Sequence, residues 1–113
     1  MKNVIKGAFS LSLALGLVAT SAHAVYDLKP YTVLEAGASN LTNTVFVVVK
    51  EDVSHSGCSE SNFIRLPLSN QLSDTFLETA KEAITSGKKI GVSFSGSCTN
   101  GAATPKNFSL RAQ

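Results

Sequence analysis

The sequence predicts a mostly β fold with one helix, its elements in the order β-β-β-α-β-β. Three observations carry that reading. Short runs of β-branched and aromatic residues are separated by segments rich in Gly, Asn, Ser and Pro. One stretch places its apolar residues at helical spacing. Two later stretches alternate between apolar and small or polar residues.

Residues 31–36 (YTVLEA) read as a first short strand, entered through Pro30. Residues 37–43 (GASNLTN) are residues that tolerate unusual backbone angles and read as a turn. Residues 44–50 form the clearest strand, with Val45, Phe46, Val47, Val48 and Val49 and no breaker. Apolar character on both of its faces marks it as central, or as covered on its second side. A polar loop at 51–61 holds Cys58, and 62–66 is a third strand stopped by Pro67, which cannot donate to a ladder. The helix follows: Leu72, Phe76, Leu77, Ala80, Ala83 and Ile84 share one face, while Asp74, Glu78, Lys81, Glu82 and Thr85 share the other. Ser73 is the expected N-cap and Gly87 the expected left-handed C-terminal residue. Residues 89–95 form the fourth strand, with Ile90, Val92 and Phe94 inward and Gly91, Ser93 and Ser95 on the other face. Residues 96–105 read as a loop carrying Cys98, and 107–112 as a last strand with Phe108, Leu110 and Ala112 inward.

The chain opens on a different kind of segment. Lys2 and Lys6 precede an uncharged apolar run from Ala8 to Ala19, and Ala22-His23-Ala24 has the small-x-small form of a signal-peptidase site. Residues 1–24 are therefore expected to be a signal peptide cleaved after Ala24, which puts the mature protein in the periplasm or outside the cell. The apolar run is too short to span a bilayer comfortably, so no integral membrane segment is expected after cleavage. The mature part, 25–113, is the length of one small domain. The formal charge of +2 derives from Lys2 and Lys6, so the mature chain is neutral, with eight basic and eight acidic residues. That balance excludes nucleic acid as a default partner, because displacing counterions from phosphates needs a basic face.

A domain this small buries about 60–65% of its unfolded surface and has a marginal core. Cys58 and Cys98 are the only cysteines, so an oxidising compartment leaves one internal pairing to form. Closing a loop of about 41 residues would add roughly 4 kcal/mol in the chain-entropy model. Five short strands with a helix between the third and fourth is the element order of an OB-like small barrel. An open antiparallel sheet with the helix packed on one face shares the same hydrophobic pattern and is the alternative.

The segment from Phe76 to Cys98 (FLETAKEAITSGKKIGVSFSGSC) resembles the helix, Ser-Gly-Lys turn and following strand of small exported bacterial OB-fold domains. Those include the receptor-binding B subunits of subtilase-cytotoxin-type toxins and related uncharacterised secreted proteins. The similarity extends to the signal peptide, overall length, cysteine pair and strand order. What that resemblance implies is an OB-fold, assembly of copies into a ring such as a pentamer, and recognition of glycans on host surfaces. It carries over no contact residue, so the ligand-binding positions are unassigned.

Little here suggests catalysis. His55 is the only histidine of the mature part and lies in a loop without a nucleophile elbow. With Cys58 and Cys98 consumed by a disulfide, His55 has no soft co-ligand for a metal. Glu51, Asp52 and Glu60 could gather at one end of the domain as paired carboxylates, but solvated loop acids are the expected reading. There is no Cys-x-x-Cys pair and no phosphate-cradling glycine loop. No cofactor or metal site is expected. Asn40-Leu-Thr42 and Asn107-Phe-Ser109 match the glycosylation sequon. Trp is absent and Tyr26 and Tyr31 are the only tyrosines, so aromatic platforms for sugar stacking are expected to be scarce. The small polar face Gly91-Ser93-Ser95 is a candidate contact surface. The expectation is a non-enzymatic binding module for a glycan or host surface. The alternative is an envelope or secreted protein-interaction factor, an inhibitor or accessory protein, without sugar binding.

Overall fold

The computed structural model describes residues 28–112, so residues 1–24, the Ala24 cleavage site and Tyr26 lie outside the described residues. The described chain forms β1 (Lys29–Tyr31), β2 (Val33–Ser39), β3 (Thr44–Val49), a 3-10 turn (Ser54–Ser56), β4 (Phe63–Pro67), α1 (Ser73–Ser86), β5 (Lys89–Thr99) and β6 (Ala102–Arg111). It is mostly β with one helix, as the sequence predicts. The strands make one sheet in the order β1-β5-β6-β4-β3-β2, antiparallel except for the β4–β6 pair.

The expected barrel is not closed, because no ladder joins β1 to β2. The alternative, an open sheet with one packed helix, describes the pairing better. Yet the two end strands are consecutive in the chain, separated by Thr32 alone. One bent strand thus serves both ends of the sheet, pairing with β5 through its first half and with β3 through its second. The sheet must curl until its ends meet at Thr32, an OB-like arrangement left partly open. The corner keeps Thr32 out of a ladder. Its N–H donates to Glu51 Oε1 at 2.7 Å, its hydroxyl donates to Oε2 at 2.8 Å, and its carbonyl accepts from the Lys50 N–H at 3.0 Å. Pro30 in the three-residue β1 has no N–H to give. The other weak seam is β4–β6, held by the single register pair Ile64–Ala103.

The core lies between the concave side of the sheet and α1, which packs against β2, β3, β5 and β6. Val45, Val47 and Val49 of β3 are 0–1% exposed and alternate with outward Phe46 and Val48, a direct expression of the two-residue period. Phe76, Ala80 and Ala83 are the buried stripe of α1, and Phe76 meets Phe108 at 4.9 Å between ring centroids. Each fully buried Val or Phe contributes about 1.5–3 kcal/mol.

Several boundaries differ from the sequence reading. Residues 37–39 belong to β2, which leaves a four-residue turn at 40–43 with Asn43 in the left-handed region at φ 55°. Ser73 is not the N-cap. Leu72 holds that position without a side-chain cap, while the buried Ser73 hydroxyl donates to the Leu68 carbonyl at 3.3 Å. Gly87 does end the helix, at φ 71°. The expected loop at 96–105 is largely strand, because Thr99 pairs with Ala102 across a two-residue turn. Phe108 packs on the core as expected, but Leu110 is 38% exposed and Ala112 is exposed. The Cys58–Cys98 disulfide is present, with Cys98 near the end of β5 rather than in a loop.

Candidate functional site

The outward face of β2, β3 and β4 carries the most distinctive arrangement. Register places Gly37 beside Phe46, Phe46 beside Arg65, and Val48 beside Phe63. Phe46 and Phe63 are half-buried on the side away from the core, 6.1 Å apart between centroids and tilted by 44°. The Arg65 guanidinium carbon lies 4.6 Å from the centre of the Phe63 ring, a cation–π stack worth about 0.5–1 kcal/mol where solvent reaches it. Arg65 Nη1 also donates to the Asn100 carbonyl at 2.8 Å, which ties the stack to the β5–β6 turn.

Each residue is where local physics puts it. β3 has apolar residues on both faces, and with Val45, Val47 and Val49 in the core, Phe46 and Val48 must face out. Gly37 provides flat backbone beneath Phe46, because a Cβ there would come within 2.9 Å of Phe46 Cζ. Parallel pairing of Ile64 with Ala103 carries the face onto β6, where Thr104 shares the side of Arg65. The Thr104 hydroxyl lies 2.7 Å from that of Thr99. The surface is therefore two rings and a planar cation beside a pair of hydroxyls. It offers stacking on an apolar ring face together with donors and acceptors at its edge.

No family model, curated protein or solved structure matches the chain. The functional reading accordingly rests on the residues and their geometry.

The positions singled out in the sequence are dispersed. Gly91 of the Gly91-Ser93-Ser95 face is buried, and a Cβ there would lie 3.1 Å from both Leu28 Cβ and Arg111 Cδ. That end of the face is a covered backbone approach, not a contact surface. Ser93 accepts from Asn107 Nδ2 at 3.2 Å, and Ser95 shares a hydroxyl bond with Ser97 at 2.7 Å. His55 falls in the turn Ser54–Ser56, its side chain outside the described part. Among the described residues no group of three or more His, Cys, Asp or Glu could hold a metal ion.

Glu51 and Asp52 are both engaged by nearby backbone. Asp52 Oδ1 accepts from the Ser54 N–H at 2.7 Å, and Glu51 clamps Thr32. Partial burial pushes the Glu51 carboxyl up, but the hydrogen bonds from Thr32, its own backbone N–H and the charge of Lys89 outweigh this and hold it below the ordinary range. Glu60 lies beside the Asn100-Gly101 turn, where its N–H donates to the Gly101 carbonyl at 2.9 Å. Asn40 of the first sequon is exposed in the β2–β3 turn, while Asn107 of the second lies in β6 and donates across to Ser93 of β5.

The expectation of scarce aromatic platforms considered Trp and Tyr and missed Phe. The signal was present in Thr44 to Lys50: a strand apolar on both faces leaves one face to be covered by a partner or offered to a ligand.

Proposed function

We propose that this chain is an exported, non-enzymatic binding module that recognises a glycan through the face of Phe46, Phe63 and Arg65. The observation that carries the reading is the half-buried Arg65–Phe63 stack, which faces outward on the sheet and is tethered to the neighbouring turn. Rings stack on the apolar faces of sugars, while the guanidinium and the Thr99 and Thr104 hydroxyls offer hydrogen bonds to sugar hydroxyls. The middle strands and adjoining turns of OB-folds are used for oligosaccharides and oligonucleotides alike. The neutral mature chain favours the first of these. The resemblance of residues 76–98 to toxin B subunits supports the same reading, and with it assembly as a pentameric ring. Export is supported by the leader-like residues 1–24 and by the disulfide. Among the described residues no helix is long and apolar enough to cross a membrane.

A protein-contact reading is favoured by different residues. Leu41 at the tip of the β2–β3 turn is 92% exposed and Leu34 is 59% exposed, and aliphatic side chains serve protein surfaces better than sugars. A glycan array probed with the secreted, oxidised protein separates the two. Binding to a defined glycan set, reduced at least tenfold by Phe63→Ala and by Arg65→Ala, is the expected result. No glycan binding by the wild type, or binding unaffected by both substitutions, would overturn it. Native mass spectrometry of the same sample reads the ring, with five copies expected.

A further inference from the structure

We propose that a recess beside the β1–β5 edge, separate from the aromatic face, binds a small organic monocarboxylate with an apolar or aromatic body. The recess exists because β1 runs out. Its ladder with β5 begins at Lys29–Val92, and β5 then slips register between Phe94 and Cys98, which leaves a hollow of about 330 Å³. That volume lies at the small end of ligand pockets, about 300–1,000 Å³.

Its walls divide into two chemistries. Tyr31, Val92 and Phe94 supply the apolar part, with the Tyr31 and Phe94 rings edge to face at 5.9 Å. Lys29, Ser56 and Ser93 supply the polar part. Ser56 Oγ is buried and has no hydrogen-bond partner among the described residues. A buried hydroxyl left in that state is costly, and a ligand oxygen at the recess would satisfy it. Ser93 Oγ already accepts from Asn107, so its own O–H remains to donate. Lys29 is exposed and joins no ion pair, the single one among the described residues being Lys81–Glu78 at 3.3 Å. Burial of Tyr31, reinforced by the Glu51 charge, raises its phenol above the ordinary value and keeps it protonated as a donor. The Glu51 carboxylate itself is turned to Thr32, with each oxygen engaged there.

One cation and several hydroxyl donors over an aromatic wall match a single negative charge on a compact apolar body. A neutral apolar ligand would leave Ser56 unpaired and Lys29 unused. A doubly charged anion would find one cation where it needs two.

Titration of the secreted, oxidised protein with benzoate, followed by amide chemical shifts, tests the proposal, with benzyl alcohol as the uncharged probe. Saturable millimolar shifts at Ser56, Ser93 and Phe94 are expected, at least fivefold weaker for benzyl alcohol. Lys29→Met and Ser56→Ala should each weaken benzoate at least fivefold, with Lys29→Arg retaining it and all three keeping the wild-type amide pattern elsewhere. An absence of saturable shifts, an equal response to both probes, or wild-type affinity in both Lys29→Met and Ser56→Ala would overturn it. The last result would mean that ordered water alone satisfies Ser56.

Discussion

Glu51 shows how much one side chain can decide at a corner. The bend at Thr32 leaves a backbone N–H and a hydroxyl without ladder partners, and a single carboxylate takes both. Its folded-state pKa is lowered, so its contribution is complete above the unfolded value near 4.5 and is lost as pH falls through the folded value. Glu51→Gln should therefore cost about 1 kcal/mol at pH 7, kept small by solvent access. The difference from wild type in urea unfolding should narrow at pH 3, and a gap independent of pH would refute the clamp. Gly37 acts through space instead of charge. Gly37→Ala should push the Phe46 ring aside, since the clash is with the far end of that side chain. The expected outcome is a stability change under about 1 kcal/mol with a clear loss of glycan affinity in the same array, because flat backbone serves the ring and not the core.

At the scale of elements, the β5–β6 hairpin is the part that the sequence reading placed worst. Gly96 and Pro105 sit inside its strands, and breakers of that kind usually mark loops. The dipeptide Asn100-Gly101 carried the opposite message. Both residues have positive φ, 50° and 82°, as a two-residue type I′ turn requires, and Asn-Gly is the strongest short hairpin signal. Gly101→Ala should destabilise by about 1–2 kcal/mol, from left-handed strain and from a contact with Ser59 Oγ at 2.9 Å. Gly96→Ala meets the same kind of strain at φ 92° but no neighbouring atom, so thermal unfolding should show the smaller loss there. The helix was legible from Phe76 to its Gly87 stop, because periodicity and capping are local, but Leu72 and Ile84, read onto its apolar face, are 44% and 46% exposed. Its first turn was not. Ser73 bonds back to Leu68 in preference to capping its own helix, a choice made by the preceding turn.

For the whole molecule, the disulfide acts where the sheet is thinnest. Cys58 and Cys98 bridge the approach to β4 and the end of β5, across β6, beside the seam held by Ile64–Ala103. The Glu60 N–H to the Gly101 carbonyl stitches the same place. Replacing both cysteines with serine should cost up to about 4 kcal/mol in urea unfolding, from the loop closed by a bond between residues 40 apart in sequence. Amide exchange should quicken at Ala103, on the β6 side of the seam, before the β3–β4 ladder. Uniform quickening would mean that the bond stabilises the chain as a whole and not this seam.

The sequence by itself determined the mostly β class, the position of the single helix and the one available cysteine pairing. All of these follow from short-range pattern or from counting. Only the tertiary structure decided the rest. It turned the first predicted strand into two that pair at opposite ends of one curled sheet, left the barrel unclosed, and set Phe63, Arg65 and Asn100 together. Residues 65 and 100 have no local relation. They meet because β6 lies parallel to β4, and a pairing between distant strands is chosen by burial across the whole sheet, which no window of residues contains.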